Sequence, residues 1–238
     1  MKNVHERIKE FLQNRSSGAQ ELTQQAFDIV KELLNSRTPS LEIINFLEKG
    51  AEQFCQMVPI IKLNEHFQKN GVSENSINAF QKLLSDESYL KKASVLFDSK
   101  KKVLTFSNSS SVRNTLIHYK DALLEVICCR SLPLGEGEFL NDKLVEEGIF
   151  TTLIEDSEAT RYLPNCDFIL IGADAVTEDF IVNKIGTLQL VLTARYLKIP
   201  VYVVVSKLKM IERRQYLAEK LEQYFERIDT SLITEIIS

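Results

Sequence analysis

The sequence predicts an α/β fold: a helical N-terminal part followed by a Rossmann-like, doubly wound parallel sheet. Three observations predict it. The first hundred residues carry apolar side chains at helical spacing. From Lys101 onward, short apolar runs alternate with helix-like stretches. Those runs are rich in Val and Ile and apolar on both faces, as buried parallel strands are when helices cover both sides of a sheet. The change of period divides the chain into an expected helical domain, 1–98, and an expected Rossmann-like domain, 99–238.

In the helical part, Val4, Ile8, Phe11 and Leu12 share one face, as do Leu22, Ala26, Ile29, Val30, Leu33 and Leu34. Thr38-Pro39-Ser40 interrupts the pattern, and Ser40 opens a third helix through Ile44, Leu47, Ala51 and Phe54. Pro59 is expected to end or kink that helix. Gly71-Val72-Ser73 marks a turn, after which Ile77, Phe80, Leu83 and Leu84 define another amphipathic segment reaching toward Leu90.

The expected strands are Val103–Phe106, Leu123–Cys129, Thr151–Asp156, Phe168–Val176 and Val201–Ser206. Helix-like stretches lie at Val112–Lys120, Glu138–Glu147, Leu188–Leu197 and Ile211–Phe225.

Composition excludes several classes. Hydrophobic residues make up 44% of the 238 and charged residues 26%, so a sizeable core can form. A net charge of −4 supplies no electrostatic footprint for nucleic acid or an anionic membrane. There is no apolar stretch of spanning length, and the charged N-terminus is unlike a secretory signal. Cys55, Cys128, Cys129 and Cys166 form neither a disulfide framework nor a metal-ligand spacing. A cytoplasmic protein with reduced thiols and no metal or cofactor is expected. His5, His66 and His118 are scattered and read as surface histidines.

In a doubly wound sheet, ligands bind beyond the carboxyl ends of the strands. Ser107-Asn108-Ser109-Ser110-Ser111 follows the first strand and opens a helix. Free N–H groups and the helix dipole there favour an anion such as a phosphate. Capping alone would need one such residue, not five. The loop is not a Walker loop, since its glycines and Gly-Lys-Ser/Thr end are missing. The fourth strand ends in Gly172-Ala173-Asp174, where a carboxylate could act as an acid or base or cap a turn. Asn183-Lys184-Ile185-Gly186-Thr187 is read as opening the next helix: Lys184 to neutralise a ligand anion or pair with Asp174, Asn183 to bond a hydroxyl.

These residues carry a resemblance. The stretch from Gly172 through the Asn-Lys-Ile-Gly-Thr signature to Val205 is similar to that of the initiation factor 2B alpha/beta/delta family, which includes methylthioribose-1-phosphate and ribose-1,5-bisphosphate isomerases. The resemblance is good over 95–206, and Arg15-Ser16-Ser17-Gly18 stands where family enzymes keep an Arg-Gly phosphate loop. It implies a homodimer, a possible protein partner, and a pocket for a phosphorylated sugar or nucleotide. Ser107 and Asp174 would occupy the catalytic positions; Asn108, Ser109, Ser110, Arg130, Asn183, Lys184 and Arg15 would hold the ligand. Two positions depart from the enzymes. Ser107 replaces the family cysteine, and a hydroxyl is a far weaker acid than a thiol. Leu132 replaces the arginine before the proline, with Arg130 two places earlier. The expected function is phosphate-ligand binding without the family's isomerase catalysis; the alternative is an aldose–ketose isomerase acting on a ribose-1-phosphate type of substrate.

Overall fold

The computed structural model describes residues 3–14, 17–216, 221 and 223–238. The helical part contains α1 (Val4–Gln13), α2 (Ala19–Asn35), α3 (Ser40–Gln53), α4 (Val58–Asn70), α5 (Glu74–Leu84) and α6 (Ser88–Ala93). The apolar faces of α1 to α5 meet in one core built on Phe11, Leu22, Phe27, Leu47, Leu63, Phe67 and Phe80. Pro59 does not end the helix begun at Ser40. That helix stops at Gln53, and Pro59 lies in the first turn of α4, where its missing N–H would have had no intrahelical partner. The segment around Phe80 ends at Leu84 rather than running to Leu90, since Ser85–Glu87 separates α5 from α6. Ser73 caps α5, its hydroxyl accepting from the N–H of Ser76 at 3.2 Å. Ser73→Ala is expected to cost about 1 kcal/mol of stability in chemical denaturation.

The second part alternates β1 (Lys101–Thr105), α7 (Ser110–His118), β2 (Leu123–Cys129), α8 (Glu136–Glu146), β3 (Thr151–Ile154), α9 (Ala159–Tyr162), β4 (Phe168–Ile171), β5 (Ala175–Val176), β6 (Phe180–Lys184), α10 (Thr187–Leu197), β7 (Val201–Val204), β8 (Phe225–Asp229) and β9 (Glu235–Ile237). The main sheet has the order β3-β2-β1-β4-β7-β9, with every neighbouring pair parallel. Alternate residues serve its two faces. Leu104, Ile127, Ile169, Ile171 and Val203 pack toward α10. Val103, Val126, Leu170 and Val204 pack toward α6, α7 and α8. The burial of both faces explains why these strands read as continuous apolar runs.

Three expectations are corrected. The run Phe168–Val176 is two strands: β4 ends at Ile171, and β5 joins β6 and β8 in a separate antiparallel sheet. The N–H of Asp174 bonds the carbonyl of Val182 at 2.8 Å, which turns the chain out of the main sheet. Asn183 and Lys184 close β6 instead of opening α10. The stretch Ile211–Phe225 shows no α-helix among its described residues. Arg213–Gln215 forms a short 3-10 turn and Phe225 begins β8, drawn into pairing with Lys184; residues 217–220 and 222 lie outside the described residues. The three-residue β9 is too short to leave a periodic signal. Among the described residues, no helix is long and apolar enough to cross a membrane.

Candidate functional site

The strand order of the main sheet reverses between β1 and β4. The chain leaves these neighbours in opposite directions, which opens a crevice beyond their carboxyl ends. A cleft of about 580 Å³, counting its open mouth, lies there. Its lining includes the start of α2 with Ser17 and Gly18, the loop Ser107–Ser110, the turn Ala173-Asp174, the end of β6 with Asn183 and Lys184, and Glu136 at the start of α8.

Two helices begin at the cleft. The first N–H groups of an α-helix have no intrahelical acceptor and carry the positive end of its dipole. The N–H of Ala19, in the first turn of α2, reaches Oδ1 of Asp174 at 3.4 Å. The start of α7 is held by side chains: Ser110 Oγ donates to Gln20 at 3.2 Å, and Arg113 bridges Glu21 and Asn108. Ser109 Oγ is buried without a hydrogen-bond partner among the described residues. It lies so close over Gly172 that a methyl group there would stand 2.2 Å from it, so the fourth strand must end in glycine for this loop to seat.

Ser107 adopts a left-handed backbone, φ 69°. For a residue with a side chain this is a costly conformation, sustained only by its surroundings. Here its N–H donates to Ser131 Oγ at 2.6 Å, and Ser131 Oγ donates in turn to the carbonyl of Cys129. The N–H groups of Ser131 and Leu132 are fixed by the carboxylate of Asp156 at 2.7 and 2.8 Å. The pose presents the Ser107 hydroxyl to Glu136, 3.2 Å away.

Glu136 was not singled out from the sequence. It is buried and forms an ion pair with Lys184 at 2.6 Å. Lys184 is therefore partnered by Glu136 rather than by Asp174. Lys209, also missed, lines the cleft with only 3% of its surface exposed. Among the described residues it has no ion pair within 4 Å. Burial holds its ammonium below the ordinary lysine range, against the attraction of Asp174 and Glu21. Burial likewise pushes the Asp174 carboxyl up, opposed by Lys209, the Ala19 N–H and Lys184. A buried ammonium beside a half-satisfied carboxylate is a place where an anionic ligand would be stabilised.

Of the sequence-derived candidates, Ser107, Asn108, Ser109, Ser110, Asp174, Asn183 and Lys184 all line this cleft. Asn183 donates its amide to Thr187 at 3.1 Å. Arg130 is not among them: its guanidinium is held by Glu138 and Glu155. Two carboxylates beside it outcompete a cleft it does not line. Arg15 lies outside the described residues. Among the described residues, no cluster of His, Cys, Asp and Glu could hold a metal ion. Cys129 is buried, and burial pushes its thiol up, away from the thiolate that reacts.

Known proteins resemble this chain in both parts. The ribose 1,5-bisphosphate isomerase of Haloferax volcanii is 40% identical over 88 residues, which is 37% of this chain and 27% of that protein; the alignment spans little more than a quarter of the relative's length. The crystal structure of the Pyrococcus horikoshii OT3 translation initiation factor eIF-2B matches with a TM-score of 0.84 at 21% identity, covering 98% of this chain and 94% of that one. The tetrameric eIF2B-beta2-delta2 complex from C. thermophilum matches with a TM-score of 0.74 at 13% identity over 98% and 88% of the two chains. At these identities the structures establish a shared fold. The model of the initiation factor 2 subunit family matches residues 3–233, nearly the whole chain, and the protein belongs to that family.

Proposed function

We propose that the cleft binds a phosphorylated sugar or nucleotide. The observation that carries this reading is the convergence of two helix N-termini and two buried lysines, Lys184 and Lys209, on one cleft. Lys184 is already paired with Glu136, so among the described residues Lys209 is the buried lysine left for a ligand. The phosphate would sit on the first N–H groups of α7, where Ser109 keeps an unused hydroxyl. Asp174 and the amide oxygen of Asn183 would take sugar hydroxyls. The isomerase name of the Haloferax relative supports a sugar phosphate as the ligand class. Binding needs no thiol, and Ser107 supplies none. The tetrameric relative supports association with further subunits, a homodimer included, as the setting in which such a ligand would regulate a partner.

Thermal unfolding against pentose phosphates, pentose bisphosphates and nucleoside monophosphates tests the reading. A ligand at about 100 times its dissociation constant should add about 2.7 kcal/mol. Lys209→Met should keep the fold and lose that increment. No stabilisation by any member of the panel would overturn the proposal.

A further inference from the structure

The helical part reaches the cleft from behind through α4. Val58 and Lys62 are four positions apart on that helix, so they share a face. The N–H of Val58 donates to the carbonyl of Asp174 at 3.2 Å. The Lys62 ammonium donates to the carbonyl of Met210 at 2.6 Å and to that of Lys207 at 3.3 Å. Those two carbonyls bracket Leu208 and Lys209 in the 3-10 turn Lys207–Lys209. A lysine side chain can satisfy carbonyls left open where a helical turn ends. Burial holds the Lys62 ammonium below the ordinary lysine range, against the attraction of Glu65. A desolvated ammonium keeps its acceptors firmly, since losing them leaves it unsatisfied.

Within the turn, Leu208 enters the core of the helical part and Lys209 lines the cleft. One helix therefore fixes two titratable members of the cleft: the backbone of Asp174 through its first N–H, and the turn of Lys209 through Lys62. Yet Lys209 makes no ion pair within 4 Å among the described residues, although Asp174 attracts it. Shielded from water, an ammonium and a carboxylate gain by closing to contact, so their separation needs a restraint. The chain is tied just after the turn, where the N–H of Ile211 donates to the carbonyl of Val176 at 2.9 Å. Lys62 ties the turn itself.

We propose that Lys62 is a positioning residue for Lys209: by bridging the carbonyls of Lys207 and Met210 it holds the Lys209 ammonium off Asp174 and leaves it open to a ligand anion. This rests on the binding reading above. Lys62 does not line the cleft. It lines an open groove on the other side of the turn, with Lys207 and Leu208. Without the bridge the turn relaxes, Lys209 closes on Asp174, and the anion loses its cation.

Two measurements on the full chain test this. One is the titration of Lys209, followed by NMR on protein carrying isotope-labelled lysine, with Lys209→Met assigning the resonance. The other is calorimetric binding of ribose 5-phosphate and of inorganic phosphate. Lys62→Met should weaken binding of the tighter probe about tenfold at a urea midpoint close to wild type. In the same variant Lys209 should titrate at higher pH, as an ammonium does on gaining a carboxylate. Lys62→Arg, whose guanidinium can donate to the same carbonyls, should return both toward wild type. Methionine at this position meets an open groove, so the fold should survive; Lys62→Gln, with the same two readouts, serves if it does not. Wild-type affinity in Lys62→Met would overturn the positioning role and leave the binding reading standing. Weaker binding with an unchanged Lys209 titration would overturn it too, since the bridge would then act on something other than Lys209. Failure of both probes to bind the wild type would overturn the binding reading and the positioning role together.

Discussion

Gly137→Ala is expected to lower stability by about 3 kcal/mol, the upper end for forcing extra volume into a packed interior. Gly137 lies in the first turn of α8, where that helix meets the end of β2. A methyl group on it would stand 1.8 Å from the carbonyl oxygen of Cys129 and 3.0 Å from that of Arg130. These are backbone atoms at the end of β2 and just after it, so neither can swing aside as a side chain would. The N–H of Gly137 bonds the carbonyl of Arg130 at 3.0 Å, which ties the helix to the strand at the point of contact. Relief requires moving α8, and α8 carries Glu136 into the cleft. The variant should show a lower urea midpoint at an unchanged denaturant slope, together with weaker ligand stabilisation. A midpoint within the equivalent of about 0.5 kcal/mol of wild type, the range of neutral surface changes, would show that helix and strand are not in such contact.

Glu136→Leu should cost about 3–5 kcal/mol, because it leaves the Lys184 ammonium buried and unpaired. Lys184 retains only 3% of its surface. The ring of Tyr224 lies 5.6 Å from the ammonium, a weaker substitute for a carboxylate at 2.6 Å. Adding Lys184→Met to Glu136→Leu should restore most of the loss, since a buried pair replaced by apolar groups of similar size is often neutral. Denaturation of the two single variants and the double variant measures the coupling. If the double variant is as unstable as the sum of the singles, the two side chains do not interact and the pair assigned here is wrong. Such recovery would mean that the fold tolerates losing the pair as a unit.

Much of this architecture was legible along the chain. The strand Leu123–Cys129 has the bounds read from its apolar run, and α7, α8 and α10 lie within two residues of their helix-like stretches. Those elements are buried on regular faces, and burial on a regular face writes a period into the sequence. The serine loop after β1 and the aspartate after β4 were also legible, because a parallel sheet puts its useful residues at strand ends. The misreadings share a cause. Pro59 punctuates a chain equally well at the start of a helix and at the end of one. Gly172-Ala173-Asp174 turns the chain between two sheets, and a run that is apolar in both sheets reads as one strand. Phe225 gains its partner only from Lys184, 41 positions earlier in the pairing register.

The charges of the cleft were the least legible part. Arg130, Lys184, Glu136 and Lys209 carry no periodic signal, and which of them meet depends on how α8, β6 and the turn after β7 converge. Glu136 and Lys184 are 48 positions apart and touch at 2.6 Å, while Arg130, six positions from Glu136, is held outside by Glu138 and Glu155. Hydrophobic pattern and chain punctuation act locally and are written in the order of the residues. An ion pair between distant segments is set by the packing that brings them together, so it becomes visible only in the folded chain.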